Sequence, residues 1–156
     1  IERERGNAAE AMRWFARFLD ELPTFPSLAG YRIHGHYSLG RTYRDLSQYG
    51  DAIREYEAAL ELGGDKVTRC KVLQNLAWVY CLCDDSHSAA ARLAQSKGLA
   101  TTPELQAHQG LGEAFVAVVR KQHRTARERL AGLPQDGDIG GQVAWLQRRI
   151  VAGVRA

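Results

Sequence analysis

The sequence predicts an all-α protein, an α-solenoid in which antiparallel helix pairs stack on one another, with a capping helix at the C-terminus. Three observations favour this fold class. Apolar residues recur at helical spacing, the alternation typical of strands is missing, and a five-residue pattern returns at intervals of 37 and 35 residues. The length of 156 residues, with 45% hydrophobic and 25% charged residues, is that of a single globular domain.

The spacing of apolar residues predicts three helices in the first half of the chain, over residues 7–22, 28–46 and 51–62. Pro23 ends the first of them, because proline lacks a backbone donor and clashes with the preceding turn. Residues 47–50 predict a turn. Gly63 and Gly64 end the third helix, because glycine accepts the left-handed geometry at a helix end.

The second half of the chain predicts five further helices, over residues 66–83, 86–97, 102–119, 123–130 and 142–154. Asp65 and Thr102 are typical N-caps, since their side-chain oxygens can accept from free backbone N–H groups. Pro103 suits the first turn of a helix. Residues 137–141 include three glycines and are predicted to form a flexible loop.

The repeated pattern consists of a Leu, a small residue, two variable residues and an aromatic residue. It occurs at Leu39–Tyr43, Leu76–Tyr80 and Leu111–Phe115. The small residue lets one helix of a pair approach its partner closely, and the aromatic ring fills the space beside it. A single pair cannot bury its apolar stripe alone, so we expect the pairs to stack. A helical bundle with accidental periodicity is the alternative.

This arrangement resembles the tetratricopeptide repeat, a helix–turn–helix unit of about 34 residues with the pattern Trp-x2-Leu-Gly-x2-Tyr, Ala-x3-Phe and Pro. The matching positions are Leu39, Gly40, Tyr43, Ala52 and Tyr56, then Leu76, Ala77, Tyr80, Ala89 and Leu93, then Leu111, Gly112 and Phe115. Ala126 lies two residues late in the third unit. The resemblance implies a right-handed superhelix. It divides the single domain (1–156) into a partial N-terminal repeat (1–26), two repeats (27–64 and 65–100), a degenerate repeat (101–134) and the capping helix (142–156).

In solenoids of this kind the first helices of successive pairs line a concave groove, which is the usual binding surface. The residues predicted to face it are His34, Tyr37, Arg41, Arg44, Lys71, Gln74, Asn75, Trp78, Gln109 and Glu113. Amides can hydrogen-bond a peptide backbone, Arg41 and Arg44 can bind a carboxylate, and Trp78 can anchor a partner or pack half-buried against the next repeat. The predicted function is therefore a protein–protein interaction module that holds a peptide or protein segment in the groove.

The sequence contains no motif that favours an enzyme. A P-loop and a nucleophile elbow are missing, and Gly110 and Gly112 lie inside a predicted helix rather than after a strand. Cys83 and His87 lack the paired spacing of a zinc site. We therefore predict no catalytic residue, no metal and no cofactor.

The alternative function is the effector or dimerisation domain of a bacterial transcription regulator, with a DNA-binding domain upstream of Ile1, since the chain does not begin with Met. A homodimer is left open. We expect no nucleic-acid partner, because only residues 120–124 form a dense basic run and the repeats share no recurring polar pair. Without an apolar run of about 18 residues we predict no membrane partner. Three cysteines favour a reducing cytoplasm.

Overall fold

The computed structural model of the protein describes residues 2–155, with side chains from Arg5 to Val154. Regular structure within this range is entirely helical, so the all-α prediction is confirmed. The α-helices are α1 (Glu2–Glu21), α2 (Ala29–Asp45), α3 (Tyr49–Glu61), α4 (Lys66–Leu82), α5 (Ser86–Lys97), α6 (Pro103–Val119), α7 (His123–Ala131) and α8 (Gly137–Arg155), with a short 3-10 helix at Pro26–Leu28. None of these helices is both long enough and apolar enough to cross a membrane.

Three helical hairpins follow one another with a constant interval. The pairs α2–α3, α4–α5 and α6–α7 have their first helices starting at Ala29, Lys66 and Pro103, which are 37 residues apart. Their second helices start at Tyr49, Ser86 and His123, at the same interval. The repeating unit is therefore 37 residues long over these three hairpins, and no insertion or deletion separates them.

The turn inside each hairpin is built in the same way. Its central residue, which is Ser47, Asp84 or Lys121, has a left-handed conformation with φ of 59°, 58° and 59° respectively. The backbone N–H of the next residue, which is Gln48, Asp85 or Gln122, donates to the carbonyl oxygen of Tyr43, Tyr80 or Ala117 at 2.8 to 2.9 Å. This bond satisfies a free carbonyl at the end of the first helix, and the left-handed residue reverses the chain.

Both predicted N-caps are confirmed. The Asp65 carboxylate accepts from the backbone N–H of Thr68 at 2.9 Å, and the Thr102 hydroxyl accepts from that of Leu105 at 3.2 Å. Asp85 caps α5 through the N–H of Ser88 at 3.0 Å. The hydrogen bonds from Thr68 and Ser88 lower the pKa of the Asp65 and Asp85 carboxyl groups.

The second helix of each hairpin packs on the first helices through a row of small and large buried side chains. Among residues 2–155, α2, α4, α6 and α8 contact one another in chain order, and every helix contacts only helices one or two positions away. Ala52, Ala89 and Ala126 take equivalent places on the second helices and are all fully buried. One turn later, Tyr56, Leu93 and Leu130 are buried as well.

Glycine at position 40 is required by close packing. A Cβ atom on Gly40 would lie 2.8 Å from Cε1 of the Tyr56 ring, so the ring occupies the space that a larger residue would take. The Leu93 side chain packs against Gly112 in the same way, since a Cβ atom on Gly112 would lie 2.7 Å from Leu93 Cδ2. These contacts agree with the expectation that the small residues allow helices to approach closely.

The predicted loop at residues 137–141 is wrong, because α8 begins at Gly137. Its glycines serve close packing and chain reversal. Gly137 has a φ of +62°, and a Cβ on Gly140 would lie 2.4 Å from the carbonyl oxygen of Gln135. The Gly140 N–H also donates to the carbonyl of Asp136 at 3.0 Å. At the other end of the chain, α1 begins at Glu2, five residues before the predicted start.

The third unit also needs a correction. With a constant interval of 37 residues, Ala126 is in register with Ala89, and the equivalent of Leu76 is Glu113 rather than Leu111. The five-residue pattern therefore begins two residues early in α6, whereas α7 is in register with α3 and α5. This difference decides which residues of α6 face the groove.

Candidate functional site: a groove lined by α2, α4, α6 and α8

A groove of about 760 Å³ runs across the layer formed by α2, α4, α6 and α8. Its volume lies within the range of about 300–1,000 Å³ that is usual for ligand sites. Seven of the residues predicted from the sequence line it, which are Tyr37, Arg41, Arg44, Lys71, Gln74, Asn75 and Trp78. The predicted surface on α2 and α4 is therefore assembled in one place.

The remaining three predicted residues, His34, Gln109 and Glu113, do not line this groove. His34 is exposed on α2. Gln109 is buried, where it donates to the carbonyl of Leu93 at 2.9 Å and accepts from the Ser96 hydroxyl at 2.5 Å. Gln109 therefore joins α6 to α5 and is not available to a ligand.

Glu113 faces the opposite side of the layer. Its carboxylate accepts from the Arg129 guanidinium of α7 at 2.6 Å. The cause of the misplacement is the interval of 35 residues used to align α6. A helix turns by about 100° per residue, so a slip of two residues rotates the predicted face by about 200°.

The corrected interval finds the groove residues that the sequence prediction missed on α6. The positions 37 residues after Lys71, Gln74 and Asn75 are His108, Leu111 and Gly112, and all three line the groove. The signal for this alignment is present in the sequence, because Ala52, Ala89 and Ala126 are spaced by 37 residues. Glu104 and Leu105 of α6, and Gly137, Asp138, Gly141, Gln142 and Trp145 of α8, complete the lining.

The wall between α2 and α4 is a hydrogen-bonded network. Arg44 Nη1 donates to Asn75 Oδ1 at 3.1 Å, and Asn75 Nδ2 donates to the Tyr37 hydroxyl at 3.2 Å. Arg44 also forms an ion pair with Asp45 at 3.1 Å. Gln74 Nε2 donates to the carbonyl of Leu105 at 2.8 Å. The Asn75 amide thus joins α4 to α2 and the Gln74 amide joins α4 to α6, which contrasts with the prediction that these amides bind a peptide backbone.

Arg41 and Lys71 are the cations of this wall that remain available. Both side chains are exposed, and neither has an ion-pair partner among residues 5–154. The Arg41 guanidinium carbon lies 6.0 Å from the centre of the Tyr37 ring, within the range of a cation–π contact. The α2–α4 side of the groove is therefore positively charged.

An aromatic cluster lies at the α8 side. The centres of the Trp78 and Phe115 rings are 4.7 Å apart, those of Trp78 and Trp145 are 5.7 Å apart, and those of Phe115 and Trp145 are 5.4 Å apart. The Arg149 guanidinium carbon lies 4.8 Å from the Trp145 ring centre. Trp78 is partly exposed, so it both packs against the next unit and presents part of its ring to the groove.

The end of the groove at α6 and α8 is acidic. Glu104 and Asp138 line it, both are exposed, and neither forms an ion pair in the described part of the chain. His108 lies between the two ends. Burial lowers the pKa of its imidazole, with Lys71 acting in the same direction and Glu104 and Asp138 opposing it. Opposite charges thus stand at the two ends of one groove.

Among the side chains of residues 5–154, no three His, Cys, Asp or Glu come together as metal ligands. Comparison with known proteins adds no family. No protein-family model, curated protein or solved structure matches the chain.

Proposed function

We propose that the protein is an interaction module with a tetratricopeptide-like solenoid fold, and that it binds an extended peptide or protein segment in the groove across α2, α4, α6 and α8. The order of helix contacts supports the solenoid, because distant helices do not meet among the described residues as they would in a bundle. The unit of 37 residues is three longer than the family unit of about 34.

One observation carries this proposal. Equivalent positions on successive first helices, which are Lys71 and His108, Gln74 and Leu111, and Asn75 and Gly112, all line the same groove. A surface that repeats from helix to helix suits a ligand that is itself a chain of repeating units, such as an extended peptide. The cations of Arg41 and Lys71 lie at one end of the groove, and the carboxylates of Glu104 and Asp138 lie at the other. The partly exposed ring of Trp78 lies between α4 and α8.

These charges define the peptide that fits. An acidic residue of the ligand pairs with Arg41 or Lys71, and a basic residue pairs with Glu104 or Asp138. An aromatic or apolar residue between them packs on Trp78 and Trp145. The three cysteines are unpaired thiols, which supports the further proposal that the protein works in a reducing cytoplasm.

The test is a fluorescence-anisotropy titration with the labelled peptide Lys-Lys-Gly-Phe-Gly-Glu-Glu and a control peptide in which Gln replaces every charged residue. We expect the charged peptide to bind more tightly. Trp78→Ala weakens binding by about tenfold, which is the loss typical of an aromatic anchor. Arg41→Ala causes a smaller loss that shrinks as salt is added.

Two variants outside the groove serve as matched controls. Arg148→Ala removes another exposed arginine, from α8, and Trp14→Ala removes a tryptophan that is 61% exposed on α1. Both should bind the charged peptide like the unmodified protein. Equal losses for Arg41→Ala and Arg148→Ala, or equal binding of the two peptides, contradict the groove as the binding site.

A further inference from the structure

A second concave space lies on the other side of the first-helix layer. Each pair of successive second helices leaves a cleft above the first helix between them, and we call these the α3–α5 cleft and the α5–α7 cleft. The 37-residue interval makes the two clefts equivalent position by position. Their contents can therefore be compared directly.

The α3–α5 cleft is filled by the chain itself. Tyr80 of α4 projects into it, and its hydroxyl donates to Glu57 Oε1 of α3 at 3.4 Å. The same carboxylate oxygen accepts from Arg92 Nη2 of α5 at 2.5 Å. An aromatic ring and a carboxylate thus bridge the two second helices and are held by one arginine.

The α5–α7 cleft lacks both of these groups. Ala117 takes the place of Tyr80, and Ala94 takes the place of Glu57. A cavity of about 290 Å³ remains, with a floor formed by Leu93, Val116 and Ala117. Arg129 takes the place of Arg92. Because position 94 has no carboxylate, Arg129 forms its ion pair with Glu113 of α6, at 2.6 Å.

The rim of the α5–α7 cleft has gained positive charge. Lys97 and Arg120 line it, at the positions that Leu60 and Cys83 occupy in the α3–α5 cleft. Lys97 is exposed and has no ion pair within residues 5–154. Arg120 is exposed, and its hydrogen bonds within the described side chains are neutral ones to Ser86. Compared with its equivalent, this cleft lacks the aromatic ring and the carboxylate of the second helix and has gained two cations, Lys97 and Arg120. It also contains the carboxylate of Glu113, which Arg129 already binds.

We propose that the α5–α7 cleft is a second docking site, for a partner protein segment that carries an aromatic side chain next to acidic residues. The ring enters the space that Tyr80 fills in the equivalent cleft, and a carboxylate takes the place of Glu57, where it pairs with Lys97 or Arg120. Charge complementarity and the arrangement of Tyr80 and Glu57 select this chemistry. The site shares no lining residue with the groove, so the proposal is independent of the proposed function.

The probe is the labelled peptide Gly-Ser-Glu-Glu-Tyr-Glu-Ser-Gly. One control peptide has Gln in place of every Glu, and the other has Ala in place of Tyr. We expect the probe to bind the full chain, and each control peptide to bind at least about tenfold more weakly, because ring and carboxylate are both required. Equal binding of all three peptides overturns the proposal.

Two variants restore the groups that the cleft lacks. Ala117→Tyr fills the cavity from within, and Ala94→Glu supplies a carboxylate at an exposed position of α5, where a folding defect is not expected. Each should weaken probe binding by about tenfold, whereas Arg148→Ala, an exposed position of α8 outside both sites, should leave it unchanged. Circular dichroism shows whether Ala117→Tyr folds. If it does not fold, probe binding to Ala94→Glu alone tests the proposal.

Other results would contradict the proposal. Unchanged binding to Ala94→Glu rules out the carboxylate position, and a loss in Arg41→Ala places the peptide in the groove instead. Sedimentation of the protein alone tests for a second copy as the occupant. Self-association that Ala94→Glu abolishes would mean that another copy of the chain, and not an acidic aromatic partner, occupies the cleft.

Discussion

The α3–α5 cleft and the α5–α7 cleft share one backbone and differ in what fills them. The turns, the helix starts and the buried alanines at 52, 89 and 126 are the same in both. Tyr80 closes the first cleft, while Ala117 leaves the second open. The comparison indicates that the alanine row and the turn geometry specify how the helices stack, and that the cleft position varies without changing the stack.

Opening the filled cleft gives the largest expected effect. Tyr80→Ala removes a ring that packs against both hydrophobic clusters of the core, and it leaves Glu57 and Arg92 without the phenol. We expect a loss of about 3 kcal/mol in the free energy of unfolding, the lower value for truncating a large aromatic side chain. Urea unfolding measures this loss.

Tyr31→Ala is the matched control, since Tyr31 is 63% exposed on α2. It should change the free energy of unfolding by less than about 0.5 kcal/mol. If Tyr80→Ala were equally mild, then Tyr80 would not support the stack, and the two clefts would be energetically alike despite their different contents.

Removing only the carboxylate from the filled cleft tests its second component. Glu57→Ala makes that cleft resemble the other one at the position of Ala94, and it deprives Arg92 and Tyr80 of their shared acceptor. The two partners are about one-third exposed, so water screens the ion pair and we expect a loss of about 1 kcal/mol. The measurement is again urea unfolding, repeated at high salt, where the loss should shrink.

Glu61→Ala provides the comparison for Glu57→Ala, because Glu61 is exposed at the end of α3 and has no ion pair in the described part of the chain. It should leave stability within about 0.5 kcal/mol of the unmodified protein. Similar losses in both variants would show that the bridge from Glu57 to Arg92 contributes no more than an ordinary surface charge.

The sequence was sufficient to predict an all-α protein but not the face of α6 that lines the groove. Most helix boundaries, the caps at Asp65 and Thr102 and the groove residues of α2 and α4 other than His34 follow from periodicity and cap chemistry. The starts of α1 and α8 do not, since each lies five residues before the predicted position. In α6, however, α4, α5, α7 and α8 all contact the helix, so apolar residues surround it. Leu111 and Phe115 are both buried, and their pattern matched the repeat at the wrong interval.

Trp145 shows a different limit of sequence reasoning. The glycines at 137, 140 and 141 predict a loop, whereas in the structure Gly140 allows the start of α8 to approach the backbone of Gln135, five residues earlier. The predicted capping helix includes Trp145, but its sequence contains no signal that places this ring beside Trp78 in the groove. The open cleft beside Ala117 could not be predicted either, because the missing aromatic ring is recognised only when Ala117 is aligned with Tyr80.

A smaller effect is expected from deleting only the hydroxyl of Tyr80. Tyr80→Phe keeps the ring in the cleft and removes a hydrogen bond of 3.4 Å to Glu57. The bond is long and the site is partly exposed, so we expect a loss of about 0.5 kcal/mol. Urea unfolding of Tyr80→Phe beside Tyr80→Ala separates the contribution of the ring from that of the phenol. A loss as large as that of Tyr80→Ala would assign the whole effect to the hydrogen bond.

The smallest effect at neutral pH is expected for Tyr56→Phe. Tyr56 is fully buried against Gly40, and its hydroxyl has no hydrogen-bond partner in the described structure. Leu93 and Leu130 take the equivalent places in the other units, so the position accepts an apolar side chain. Removing an unsatisfied hydroxyl should leave the free energy of unfolding within about 0.5 kcal/mol, or raise it.

Alkaline pH should separate Tyr56→Phe from the unmodified protein. Burial raises the pKa of the Tyr56 phenol above its ordinary value, so in the folded state it stays protonated where the unfolded chain ionises. The neutral Tyr56 phenol therefore contributes its full share to the free energy of unfolding below about pH 10, the pKa of an unperturbed tyrosine. This contribution is lost as the pH rises further. Phenylalanine cannot ionise, so at about pH 11 the variant should be the more stable protein, whereas Tyr31→Phe at an exposed site should follow the unmodified protein. A loss above about 1 kcal/mol at pH 7 would instead mean that the hydroxyl has a partner, such as a bound water beside Tyr37 and Arg44.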